Sequence, residues 1–240
     1  MHALKTFSAI AVATALSGTA HAVAVAGPTF YGPTPYLQES DSPFTGTAFT
    51  YFHRETFESG ALSTPGVTAS AGFATAPSTF SDSVDADDGA IDGFGTAGRA
   101  WYSGNVASSM SFTFSSTVLG TLPTHAGIVW TDVGNVLAGS NFSGGVTFEA
   151  FDANGTSLGS IGPSTLGELG ATGETAEDRF FGVYNPGGVS RITISMNNSV
   201  DWEVDHLQYG STPPIPEPET YALMLAGLGL VGWAARRRMR

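Results

Sequence analysis

Met110, Phe112 and Phe114 alternate with Ser111, Thr113 and Ser115, the period-two pattern of a strand with one face buried. The run 146–151, Val-Thr-Phe-Glu-Ala-Phe, repeats that pattern and leads into Asp152-Ala153-Asn154-Gly155. Asn-Gly between alternating runs predicts a hairpin, with 157–161 as the returning strand. Residues 127–131, Gly-Ile-Val-Trp-Thr, are apolar almost throughout and predict a central strand covered on both faces. Shorter runs at 48–58, 66–73 and 99–102 add further strands. A closing meander is predicted over 179–184, 189–196 and 201–209, with turns at Pro186-Gly187-Gly188 and Asn197-Asn198. The stretch 23–45, with five prolines and glycines between Pro28 and Pro43, reads as an irregular lead-in, and 162–178 as an acidic excursion. About ten strands punctuated by glycine and proline predict an all-β fold, a jelly-roll-like antiparallel β-sandwich. No repeat of solenoid or propeller length is visible.

The two ends break this pattern. Lys5, an apolar run over 7–16 and Ala20-His21-Ala22 predict a signal peptide over 1–22. At the other end, Pro216-Glu217-Pro218 precedes fifteen uncharged residues, 221–235, and then Arg236, Arg237, Arg238 and Arg240. Fifteen helical residues span about 22 Å, against a hydrocarbon core of about 30 Å. A short, tilted transmembrane helix flanked by cytoplasmic arginines is the expectation; a core helix of a soluble domain is its rival. The domains so defined are 1–22, a β-sandwich over 23–212, and a sorting signal over 213–240.

Composition sharpens the picture of the body. Between the two ends, four arginines stand against nineteen acids, a net charge of −15, and lysine and cysteine are absent. Such a surface repels phosphate backbones, so nucleic acid is excluded as a partner. Without cysteine there is neither a disulfide staple nor thiol chemistry.

The tail resembles the sorting signal of the PEP-CTERM family of exported bacterial proteins. The resemblance rests on Pro216-Glu217-Pro218, the glycine-containing apolar stretch (Gly227, Gly229, Gly232) and the terminal arginines. It implies export by the secretion machinery, membrane anchoring through the helix, and processing by an exosortase at the cell surface. The segments 122–132, 151–155, 177–182 and 202–210 resemble parts of such passenger domains, whose closing strand carries an aspartate. They support the fold and imply no activity.

Candidate chemistry is confined to carboxylates and aromatics. Asp82, Asp85, Asp87, Asp88 and Asp92 fall within eleven residues beside Gly89 and Gly93. Close aspartates with glycine turns can supply the six to eight oxygens of a calcium site; the plain alternative is a solvated acidic loop. Asp85, Asp87, Asp88 and Asp92 are therefore candidate structural Ca2+ ligands. A second candidate pairs Glu55 or Glu58 with Asp205, because the first clear strand and the last often lie side by side in such sandwiches. His53, His125 and His206 lack zinc spacing and read as local hydrogen-bonding residues. Tryptophans on strands mostly fill cores. Trp202 stands between Asp201 and Glu203, which leaves its face undecided and makes it the candidate glycan contact.

No nucleophile elbow or metal-protease motif occurs in the sequence, so no catalytic residue is assigned. The expectation is a non-enzymatic, exported surface or matrix protein, structural or in contact with exopolysaccharide. The alternative is a secreted polysaccharide- or matrix-degrading hydrolase with two carboxylates facing across a cleft.

Overall fold

The computed structural model describes residues 27–78, 82–84, 98–133, 145–166, 175–197, 199–214 and 218–239. The predicted signal peptide, the turn position Asn198, the candidate ligands Asp85, Asp87, Asp88 and Asp92, and Pro216, Glu217 and Arg240 lie outside these residues. One compact unit runs over Ala26–Ile215; a second contains the C-terminal helix.

The first unit is built of antiparallel strands in two sheets. In chain order they are β1 (Thr29–Pro35), β2 (Tyr51–Glu55), β3 (Val67–Ala69), β4 (Phe73–Ala74), β5 (Trp101–Tyr102) and β6 (Ser109–Phe114). A short helix, α1 (Ser116–Leu119), follows, then β7 (His125–Asp132), β8 (Val146–Phe151), β9 (Ser157–Ser164), β10 (Arg179–Tyr184), β11 (Arg191–Met196) and β12 (Glu203–Ser211). One sheet has the order β1-β10-β7-β12-β5-β4, with β2 also paired to β12; the other has the order β3-β6-β11-β8-β9. Among the described residues there are twelve strands, against the expected ten or so.

The alternating residues behave as their period requires. Met110, Phe112 and Phe114 of β6, Val146, Phe148 and Ala150 of β8, and Ile192, Ile194 and Met196 of β11 point into one core. From the other sheet, Ile128, Trp130, Phe181, Val204 and Tyr209 enter the same core. Two sheets burying one face each against the other is the packing of a sandwich. The β8–β9 hairpin turns at Asn154-Gly155, as the sequence predicts. Gly155 takes φ 78°, and the Asp152 carboxylate accepts from the backbone N–H groups of Asn154 and Thr156 at 2.8 Å each.

Three expectations are corrected. The proline-rich lead-in contains β1, which pairs with β10; it lies at the sheet edge, where a missing proline N–H leaves no ladder bond broken. The single strand expected over 66–73 divides, β3 joining one sheet and β4 the other. The acidic excursion expected over 162–178 begins later, because β9 runs to Ser164, and it ends in Glu177 and Asp178, which are buried.

The outer face of the seven-stranded sheet is covered as well. Tyr36, Phe44 and Val84 pack over Val129 and Phe180 in a second apolar cluster, so all nine residues of β12 are buried. His125 sits on this face, its ring centroid 5.2 Å from Phe44, 5.0 Å from Phe49 and 4.6 Å from Tyr184. Burial pushes its pKa down from 6.5 to about 4. The neutral ring's contribution to stability is complete above pH 6.5 and is lost as pH falls through about 4. Over that window the wild type is expected to lose up to about 3 kcal/mol relative to His125→Phe in urea melts. A difference that stays flat with pH would show that the ring titrates freely.

The C-terminal helix, α2 (Pro218–Arg238), begins on proline and ends on Arg236, Arg237 and Arg238. Proline needs no N–H partner in a first turn, and cations suit the negative end of the helix dipole. The Arg237 guanidinium lies 4.2 Å from the centre of the Trp233 ring. The expected transmembrane helix is corrected: among the described residues no helix is long and apolar enough to cross a membrane. Of the 21 residues of α2, Pro-Glu-Thr at the start and three arginines at the end leave fifteen, diluted by three glycines.

Candidate functional site

At one end of the seven-stranded sheet, β10, β7 and β12 lie side by side. β7 ends at Asp132, which faces Glu203 at the start of β12; β10 starts at Arg179, opposite Trp130, directly after Glu177 and Asp178. On β12, Val204, Leu207 and Tyr209 enter the core, and Asp205 and Gln208 carry the opposite face. The segment 82–84 crosses these strand ends. The Asp82 N–H donates to Glu203 Oε2 at 2.8 Å and its carbonyl accepts from Thr131 Oγ1 at 3.1 Å. Ser83 Oγ and the Val84 N–H donate to Asp205 Oδ2 at 2.9 and 3.2 Å. Asp205 Oδ1 accepts from the His206 N–H at 2.6 Å, across the bulge where His206 takes φ 43°.

Six carboxylates are thereby buried: Asp82, Asp132, Glu177, Asp178, Glu203 and Asp205 are each at most 4% exposed. Some are well supplied with donors, as Asp205 is. Others are not. Asp82 Oδ2 and both oxygens of Asp178 are shut off from solvent and meet no hydrogen-bond donor among the described residues. Burial, reinforced by the charges of Asp178, Glu177, Asp132 and Glu203, pushes Asp82 up to about 10. Burial and the charges of Glu177 and Asp205 push Asp178 to about 9, against the opposing pull of Arg179. Glu203 is raised to about 8 by burial, although the Asp82 N–H favours its charged form. Among the described residues, no three His, Cys, Asp or Glu side chains are already drawn together as a set that could hold a metal.

Next to this cluster runs a hydrogen-bonded network. Ser42 Oγ donates to Gln208 Oε1 at 2.6 Å, Gln208 Nε2 donates to Tyr36 Oη at 3.1 Å, and Tyr36 Oη meets His206 Nδ1 at 3.2 Å. The Tyr36 N–H donates to the Asp178 carbonyl at 3.1 Å, linking the network to the acids. Beyond Ser42 the surface opens into a depression of about 670 Å³, lined in part by Phe49, Phe52 and Arg54. Arg54 pairs with Glu39 at 2.8 Å at its edge.

The remaining sequence candidates distribute differently. β2 does lie beside β12, with Glu55 opposite Leu207, and the partners described for Glu58 and Asp205 differ. Glu58 is exposed and accepts from the Arg99 N–H; Asp205 is engaged with Ser83, Val84 and His206. Glu55 Oε1 accepts from the Phe57 N–H at 3.0 Å, and Oε2 accepts from the N–H groups of Ser63 and Thr64. Trp202 is a correction: it is fully buried, its ring 4.8 Å from that of Trp130, and its indole N–H donates to the Ala107 carbonyl at 3.0 Å. Flanking acids left its direction open in the sequence; pairing of β12 on both edges turns it inward, where no sugar reaches it. Asp132, Glu177, Asp178 and Glu203 were not singled out as ligands. Acids set at strand ends beside aromatic runs were the available signal.

Comparison with known families finds the PEP-CTERM protein-sorting motif at residues 214–238. No curated protein matches the chain. The chain therefore carries the sorting signal of an exosortase substrate, which indicates export and membrane anchoring before sorting to the cell surface. The match covers Pro216-Glu217-Pro218 and α2 and does not extend to the β body.

Proposed function

We propose that the protein is a non-catalytic passenger of the exosortase system, a jelly-roll-like sandwich that serves as a structural or glycan-contacting component of the cell surface or its exopolysaccharide matrix. The sorting motif at 214–238 carries this reading, because it supplies a destination for a body whose acidity suits neutral polymers and repels anionic ones. The depression at Phe52 and Arg54 supports the glycan contact. It is open, its aromatic wall includes the stacked pair Phe49 and Phe52 at 4.9 Å, and the Arg54–Glu39 pair offers both donors and acceptors to hydroxyl groups. The hydrolase reading gains less support. The carboxylates with raised pKa values are buried, and none of them lines that depression, whereas a glycosidase needs its pair facing substrate.

Removing 215–240 tests the sorting part. The truncated protein is expected in the medium, while the full chain fractionates with the cell envelope; identical fractionation of the two would overturn it. A glycan array tests the contact, with Phe52→Ala expected to weaken any signal at least tenfold.

A further inference from the structure

We propose that Asp82, Asp178 and Glu203, with Asp132, Glu177 and Asp205 around them, bind one hard divalent cation of the calcium class, and that this ion fastens segment 82–84 to the ends of β7, β10 and β12. The ligand set differs from both sequence candidates: it shares Asp82 with the aspartate run and Asp205 with the strand pairing, and takes its other members from neither. The inference is independent of where the protein is sorted.

Several observations converge. A buried carboxylate in a native fold is hydrogen-bonded, ion-paired or metal-bound, because an isolated one forfeits several kcal/mol of hydration. Asp178 is 1% exposed, and neither of its oxygens has a donor among the described residues. The same holds for Oδ2 of Asp82, whose residue is 2% exposed. These two side chains come from segments nearly a hundred residues apart, and the charge of Asp178 acts on Asp82. Their backbones are already committed: the Asp82 N–H and carbonyl to Glu203 and Thr131, the Asp178 carbonyl to Tyr36. The side chains are therefore held in place with both Asp178 oxygens and Asp82 Oδ2 unspent among the described residues.

The donor set selects the ion. Every candidate ligand is a carboxylate oxygen, and His206, the histidine on this face of β12, has Nδ1 engaged by Tyr36. All-oxygen surroundings suit calcium rather than zinc or copper. Calcium tolerates irregular shells completed by backbone carbonyls and water, so two or three carboxylates suffice. Among the described residues the acids are not drawn together as a ligand set, so binding requires them to close on the ion. Its binding would offset repulsion that the fold otherwise relieves only by protonation.

Calorimetry and thermal unfolding of the purified full chain test this, in about 1 mM calcium and in chelator. One ion per chain and a rise in Tm of about 5 °C or more are expected. Asp178→Asn is expected to weaken calcium binding at least tenfold and, in chelator at pH 8, to melt above the wild type, since it spares the fold the cost of protonating that carboxylate. Asp82→Asn should behave alike and serves if the first variant folds poorly. Glu39→Gln, on the surface, should leave binding unchanged. Equal Tm values with calcium and chelator would mean that protons alone neutralise the cluster, and binding undiminished in both asparagine variants would place the ion elsewhere. Either result overturns the proposal.

Discussion

Trp202→Ala is expected to destabilise the sandwich by about 3–5 kcal/mol in urea unfolding. The ring has no exposed surface and packs on Trp130 at 4.8 Å. Its truncation removes a large apolar area and leaves a cavity between rigid strands, which cannot collapse fully. It also leaves the Ala107 carbonyl without its indole donor, adding part of the cost of an unsatisfied buried acceptor. Trp202→Phe keeps most of the volume and is expected to lose about half as much. The Trp130 partner makes the test internal: the double variant should cost less than the sum of the two single ones, because the rings share one cavity. A loss below about 1 kcal/mol for the alanine variant would put the ring at the surface and restore it as a glycan contact.

Local pattern carried the sequence reading far on strands with one plain buried face. Met110, Phe112 and Phe114 announce β6 by alternation alone, and Asn154-Gly155 announces the β8–β9 turn, because both depend only on neighbours in the chain. The tail was equally legible, since proline, apolar residues and arginine act in sequence order. What failed was the inference from polar to exposed. On β12 the acids Glu203 and Asp205 alternate with Val204 as on a half-solvated strand, yet the opposite face is buried too. The cause is the cover formed by Tyr36, Phe44 and Val84, contributed by segments that read as irregular or acidic loop. The carboxylate cluster escaped for a related reason. Residues 82, 132, 178 and 203 meet only once the order β10-β7-β12 is known, and no spacing rule encodes that order.

That difference between a carboxylate spent on the backbone and one left unspent gives Glu55 a different forecast from Asp178. Glu55 is 3% exposed, and its oxygens accept from the N–H groups of Phe57, Ser63 and Thr64. It closes the loop after β2 upon itself, holding Phe57 at φ 59° with its ring buried against Trp101. Glu55→Ala strands three backbone donors at once and is expected to cost about 3–5 kcal/mol. Glu55→Gln keeps one acceptor oxygen but turns an NH2 group toward a former donor, so about 2 kcal/mol is expected. Hydrogen exchange should quicken at the amides of residues 57, 63 and 64 in both variants. The shift in Tm between calcium and chelator should stay as in the wild type, because these oxygens have no capacity left for an ion. A variant of Glu55 that unfolds no more readily but loses the calcium response would reverse the assignment, making the carboxylate a ligand and the loop self-supporting.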